Sequence, residues 1–251
     1  MGLLIPEDRE YQDDRRQVGF NRYKQLLSRH TGEWLTINLI TLLGALPLAL
    51  GIGFGIATSS ILVLIPASLL GGMIFGPFLS GLYDSVLRRM RDDTMPWKKN
   101  YAKSWKQNAL GSLIPGAVLG LLTGLYCFMG MLFWWATVAP SAMTVVFYLL
   151  SMAVVLSIVN LYWPQLVLFR QSGIIRLRNC LLFALQNFWK VLKVSALEIL
   201  YIIALVLFAP WTLLLLPVTG LWYPVFFSMH LLYPKLDEAF EIEAQFSQKG
   251  V

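Results

Sequence analysis

Charged positions are missing from most of this chain, and what remains is apolar in long blocks. No charge occurs between Glu33 and Asp84, a run of fifty residues, or between Lys106 and Arg170, a run of sixty-three. A third uncharged stretch runs from Ile199 to Pro234. Helices of a water-soluble protein need a polar face. A bilayer imposes the opposite, because a charge at the centre of a spanning helix costs roughly 2.5–3.5 kcal/mol. At about twenty apolar residues per crossing, the blocks predict six spans: Trp34 to Phe54, Ser60 to Tyr83, Leu110 to Trp134, Met143 to Trp163, Val191 to Phe208, and Trp211 to Leu232. The second extends as a helix to about Met90. The expected fold is all-α: a polytopic membrane helix bundle of six transmembrane helices plus two cytoplasmic interfacial amphipathic helices. Residues 1–33 form a charged cytoplasmic N-terminal segment, 34–233 the six-helix membrane domain, and 234–251 a cytoplasmic tail.

The two amphipathic helices fall in the links after spans two and four. In the first, Thr94 stands as cap and Pro96 in the opening turn. Trp97, Tyr101 and Trp105 then share one face, with Lys98, Lys99, Lys103 and Lys106 largely off it. In the second, Ile174, Leu177, Leu181, Leu185 and Phe188 share a face, with Arg176, Arg178 and Asn179 elsewhere. Such helices suit the inner membrane interface, where they anchor the chain and attract anionic lipid, or offer a docking surface to a cytoplasmic partner. The links echo each other at roughly 80 residues, which suggests a parallel repeat.

Composition agrees: 57% of residues are hydrophobic and 14% charged, against about 25% charged in globular chains. All twenty Lys and Arg fall in the N-terminal segment, the two amphipathic links and the tail, on one side of a six-span layout. The positive-inside rule makes that side cytoplasmic and places both termini there. Trp34, Tyr83 and Trp163 fit the inner interface, and Trp134, Trp135 and Trp211 the outer one. The twelve charges of residues 1–33 do not fit a signal peptide. The net charge of +6 is explained by topology, so no nucleic acid is expected. Cys127 and Cys180 are not expected to pair.

Candidate chemistry is sparse. Glu198 is the one charge well inside a predicted span, and His230 lies at comparable depth in span six. Intramembrane carboxylates mark ion or substrate paths, or pair structurally with neighbouring helices. A Glu198–His230 contact is readable as a proton relay or as a helix-to-helix hydrogen bond. Asn38, Asn160 and Gln165 are amides in or near spans, suited to interhelical hydrogen bonds or to a polar solute site. Gly116, Gly120 and Gly124 line one face of span three, and Gly72, Gly76 and Ser80 one face of span two. These stripes suit tight internal packing or a homodimer. Prolines 47, 66, 77, 115, 217 and 224 interrupt spans, as kinks or as linings of a site. No phosphate-binding loop, metal-ligand cluster or nucleophile–base set is present, so neither an enzyme nor a metal or cofactor is expected.

Three motifs carry a resemblance: Asn38-Leu39 with Leu46-Pro47, the run from Gly76 to Tyr83 leading into Arg88-Arg89, and the stretch from Tyr101 to Asn108. Together they resemble the YesL-like family of small bacterial integral membrane proteins of unknown function. The resemblance covers roughly residues 20–230. It implies a multi-pass protein of the bacterial plasma membrane, some of whose relatives are encoded beside carbohydrate-uptake systems, and it defines no catalytic residues. The function expected from it is an accessory or regulatory component associated with carbohydrate uptake, with the lipid bilayer and a membrane transport complex as partners. The alternative is a small-solute transporter or channel with a site near Glu198 and Asn160. A transporter should hold a polar cavity beside those residues, whereas an accessory protein should be a packed, dry bundle.

Overall fold

The structure, a computed structural model, describes residues 19–93 and 95–247, side chains of 246 and 247 aside. Thr94, the expected cap, lies outside the described residues, as do residues 1–18 of the N-terminal segment and the last four of the tail. The chain divides into two units, Met1–Thr31 and Gly32–Val251. In the first, α1 (Gly19–Arg29) carries Phe20 stacked on Tyr23 at 5.9 Å. Lys24 Nζ lies 4.9 Å from the Phe20 ring, and Arg22 donates to Gln25 Oε1 at 2.9 Å.

In the second unit every regular element among the described residues is helical. Four helices are long and apolar enough to cross a membrane: α2 (Thr31–Ala57), α3 (Ile61–Met90), α4 (Trp97–Trp135) and α5 (Ala142–Leu168). At 1.5 Å per residue the shortest is roughly 40 Å long. Pro47, Pro66, Pro77, Pro115 and Pro164 sit inside these helices without ending them. The surface is inverted relative to a soluble protein. Leu50, Leu62 and Ile114 are 70%, 82% and 77% exposed, while Asn38, Ser68, Ser80 and Asn160 are buried. Apolar side chains outside and polar ones inside is the arrangement a bilayer requires.

Small residues set how α2, α3 and α4 meet. Gly44 lies against Phe78, Gly71 against Leu48 and Gly55 against Leu64, so α2 and α3 run antiparallel. Gly72 faces Gly116 and Gly120, Gly76 faces Ser112 and Gly116, and Gly124 faces Ser68, so α3 and α4 are antiparallel too. A Cβ on Gly116 would stand 2.5 Å from the Gly72 carbonyl oxygen. The two backbones are therefore in direct contact, which supplies the van der Waals attraction that drives helix association in lipid. The glycine stripes are occupied by each other within one chain.

The first amphipathic link does not form a helix of its own. Residues 97–109 are the opening turns of the 39-residue α4, which starts after Pro96 and continues through the third span. Gln107 and Asn108 carry no stop signal between the two parts. The expected apolar face is spent on α3 rather than on lipid: Tyr101 is buried against Gly81, and its hydroxyl donates to the Phe78 carbonyl at 3.2 Å. Trp105 packs edge-on to Phe78 at 5.8 Å. Lys98, Lys103 and Lys106 are exposed, and Trp97 is half-buried. The inner-interface aromatics are likewise interior. Trp34, Tyr83 and Trp163 are at most 2% exposed, and Trp34 stacks on Trp222 at 5.7 Å. Trp134, Trp135 and Trp211 are exposed.

Charges at this end of α3 are paired. Arg89 grips Glu33 with two bonds, Nε to Oε2 at 2.9 Å and Nη2 to Oε1 at 3.0 Å, tying the start of α2 to the end of α3. Arg88 bridges Asp84 and Asp93, each at 2.8 Å. Burial would raise the Asp93 carboxyl, but the Met95 amide and the Arg88 guanidinium bring it below the ordinary carboxylate range.

The later elements depart most from expectation. α6 (Gly173–Gln186) buries Cys180 and Phe183 and exposes Ile174, Leu177, Leu181 and Leu185. Burial lifts the Cys180 thiol to about 12, and both cysteines are free. A break at Asn187 separates α6 from α7 (Phe188–Leu207), the expected fifth span. The matching Asn108 lies mid-helix in α4, so the two links that echo in sequence differ in structure. The expected sixth span is not one helix. A 3₁₀ turn over Trp211–Leu214 leads to a single helical turn, α8 (Leu216–Thr219), then Gly220, then α9 (Trp222–Phe240). α9 passes through the expected tail boundary, with Pro234 inside it, and α10 (Ile242–Ser247) follows.

Candidate functional site

Glu198 lies on α7, buried to 7% exposure. Its partners come from two other helices. Asn160 on α5 donates its amide to Glu198 Oε2 at 2.7 Å, and Ser228 on α9 donates its hydroxyl to Oε1 at 2.6 Å. Tyr83 on α3 donates to Asn160 Oδ1 at 2.8 Å, which turns the amide nitrogen toward the carboxylate. The result is one continuous chain, Tyr83–Asn160–Glu198–Ser228, joining four helices. One turn earlier, Ser157 and Ser195 pair at 2.8 Å. A carboxylate accepts about four hydrogen bonds, so acceptor capacity remains at Glu198 for a further donor.

That carboxylate borders empty space. A cavity of about 610 Å³ lies among α2, α3, α4, α5, α7 and the broken segment. Tyr83, Thr123, Cys127, Asn160, Glu198 and Tyr201 line it, and the remaining wall is aliphatic apart from Phe75 and glycines. A second cavity of about 260 Å³ lies between α7 and α9. Glu198, Tyr201 and Pro224 line both, so they form the partition between the two spaces.

Asn38 belongs to a different structure. It is fully buried on α2 and brackets the break in the last segment. Its amide nitrogen donates to the carbonyls of Leu216 and Pro217, both at 2.8 Å. Its Oδ1 accepts from the Leu221 amide at 2.9 Å and the Trp222 amide at 3.4 Å. One side chain thus satisfies both ends of an interrupted helix, the groups that lose their partners where a helix stops. Tyr201 adds a bond to the Gly220 carbonyl at 3.1 Å. Leu216, Gly220 and Leu221 also line the large cavity, so the break is part of its wall.

The expected residues therefore separate. Asn160 and Glu198 meet; Asn38 clamps the break; His230 is half-buried on α9, and Glu198 bonds to Ser228 instead of to it. Gln165 donates to the Leu161 carbonyl and to Cys180 Sγ. Tyr83, Tyr201 and Ser228 were not singled out from the sequence for the site. Tyr and Ser are unremarkable in apolar runs, and only their offset from Asn160 and Glu198 in space assigns them a role. Among the described residues no three His, Cys, Asp or Glu side chains gather as a metal site would need.

No protein-family model matches the chain. No curated protein matches it. No solved structure matches it. The four long apolar helices, with polar groups inside and aliphatic ones outside, are those of a membrane protein.

Proposed function

We propose that this protein is a membrane carrier for a small, largely apolar molecule bearing one hydrogen-bond-donating or cationic end. The observation that carries this reading is the cavity of about 610 Å³ with a buried carboxylate on its wall. The cavity is apolar rather than the polar one expected of a transporter, which turns the carrier reading toward an apolar ligand; a packed, dry bundle would have favoured the accessory role. An apolar lining with few polar groups suits an amphipathic ligand. A sugar would leave most of its hydroxyls without partners there. The shared partition of Glu198, Tyr201 and Pro224 gives the ligand two compartments on either side of one anchoring group.

In this reading α7 and the broken segment through α9 complete six crossings, and α6 lies in the inner interface. The twenty basic residues put both termini in the cytoplasm, and the membrane is a bacterial plasma membrane if the YesL-like motifs mark descent. A second reading, an accessory component of a carbohydrate-uptake system, draws on those motifs and on the exposed Leu185, Phe188 and Trp189 where α6 meets α7.

Flux separates the two. Reconstituted protein should carry a lipophilic amine across liposomes, and Glu198→Gln should reduce that flux at least about tenfold, the worth of one charge-assisted hydrogen bond. Equal flux from folded wild type and Glu198→Gln would reject the carrier site. Absence of flux, with stable co-purification of uptake components, would favour the accessory role.

A further inference from the structure

A second apolar space points to a different ligand. A groove of about 330 Å³ lies between α4, α5 and the start of α6, and it shares no polar residue with the cavity at Glu198. Ile114 and Val118 on α4 and Val155 and Ile158 on α5 border it, and the first two are 77% and 51% exposed. Its sides are therefore open to the acyl region of a bilayer. Toward the end of α5 the chemistry changes. Trp163 borders the groove at 2% exposure, and its indole Nε1 has no acceptor. Tyr162 borders it too, and the Arg176 guanidinium lies 5.8 Å from the Tyr162 ring centroid. Arg176 Nε is sealed from solvent and likewise has no acceptor.

Arg176 stands in the first turn of α6, a helix of 14 residues whose N-cap, Ser172, makes no side-chain capping bond. Amides of a first turn have no acceptor within their helix, and the helix dipole adds partial positive charge there. Trp163, Tyr162 and Gly173, the first residue of α6, thus border the groove, and the guanidinium of Arg176 stands beside Tyr162. Trp163 Nε1 and Arg176 Nε lack acceptors, and the guanidinium and the helix start both contribute positive charge. The missing component is an anion joined to a hydrocarbon chain.

We propose that this groove holds one anionic membrane lipid, with an acyl chain between α4 and α5. Its phosphate takes hydrogen bonds from Trp163 Nε1, Arg176 and the opening turn of α6. A free phosphate ion would satisfy the donors but leave the groove unfilled. A zwitterionic lipid would fill the groove but bring a cation to a basic site.

Native mass spectrometry of the full chain, delipidated in detergent, tests this. The probes are phosphatidylglycerol, phosphatidylcholine with the same acyl chains, and inorganic phosphate. Phosphatidylglycerol should be retained at one per chain where phosphatidylcholine is not. Arg176→Gln should weaken that retention about tenfold, as expected for a lost charge-assisted bond. Val155→Trp should abolish it by filling the acyl path while leaving Trp163 and Arg176 in place. Equal retention of the two lipids would overturn the proposal, as would unchanged binding in Val155→Trp. Inorganic phosphate bound as tightly as the lipid would assign the donors to a free ion instead.

Discussion

Asn38 and Gly220 fit each other because one carries an amide and the other carries nothing: a Cβ on Gly220 would stand 2.5 Å from Asn38 Oδ1 and 2.8 Å from Nδ2. The amide replaces the intrahelical bonds lost at the break, and the glycine lets it come close enough to do so. Asn38→Ala would leave two carbonyls and two amides without that partner. Thermal unfolding in detergent should register a loss of about 2–4 kcal/mol. Gly220→Ala should show a similar loss although it deletes no hydrogen bond. An unchanged midpoint for Asn38→Ala would mean that water or lipid satisfies those groups equally well.

The α3–α4 contact makes a second expectation. A Cβ at Gly120 would meet the Ser68 carbonyl and the Gly72 backbone, neither of which can rotate away. Gly120→Val should therefore cost about 1–3 kcal/mol or more. Gly53 on α2 has nothing within 4 Å of the same position. Gly53→Ala should be neutral or stabilise by about 0.5–1 kcal/mol through helix propensity. Because the stripes face each other inside one chain, Gly120→Val should leave the oligomeric state alone. A change of oligomer on size-exclusion chromatography with light scattering would place a glycine face between chains.

Arg89 and Glu33 hold the first two long helices together at their polar ends. Their side chains are 10% and 26% exposed, so solvent screens the pair weakly. Arg89→Gln should destabilise by about 2–4 kcal/mol, since it removes both charge-assisted bonds to the Glu33 carboxylate. Glu33→Gln in the same background should restore part of the loss. A double-mutant cycle with no coupling would assign the Arg89 effect to its bonds with the carbonyls of Asp93 and Met95 instead.

How far the sequence reached depends on what hydropathy encodes. Apolar runs reveal that a helix is long and lipid-facing, and α2, α3 and α5 follow from Trp34–Phe54, Ser60–Tyr83 and Met143–Trp163 with ends extended by a few residues. Hydropathy is blind to backbone continuity. Residues 211–232 carry no charged side chain, yet Gly220 interrupts them. Pro210, Pro217 and Gly220 within eleven residues were the signal for a break, and prolines that pass harmlessly through α3 and α4 obscured it. Glu198 and Asn160 stood out because charge and amide are rare in such runs. Their partners Tyr83 and Ser228 did not, because nothing local distinguishes a hydroxyl that meets a carboxylate from one that bonds its own helix, as Ser85 does to Gly81. The merging of residues 97–109 with α4 was hidden for the converse reason: a change from amphipathic to apolar composition looks like a boundary even where the helix is unbroken.

That unbroken helix has a mechanical consequence. A hydrocarbon layer of about 30 Å takes roughly twenty residues, and α4 has 39, so about 28 Å of it projects beyond the layer at 1.5 Å per residue. The glycine contacts lock α3 beside it. Bilayers of different thickness set different helix tilts, and a stiff rod converts a small change of tilt at its membrane end into a displacement of several ångströms at its lysine-bearing tip. The pair is a lever whose fulcrum is the lipid, and the thickness of the surrounding membrane is one of the loads that moves it.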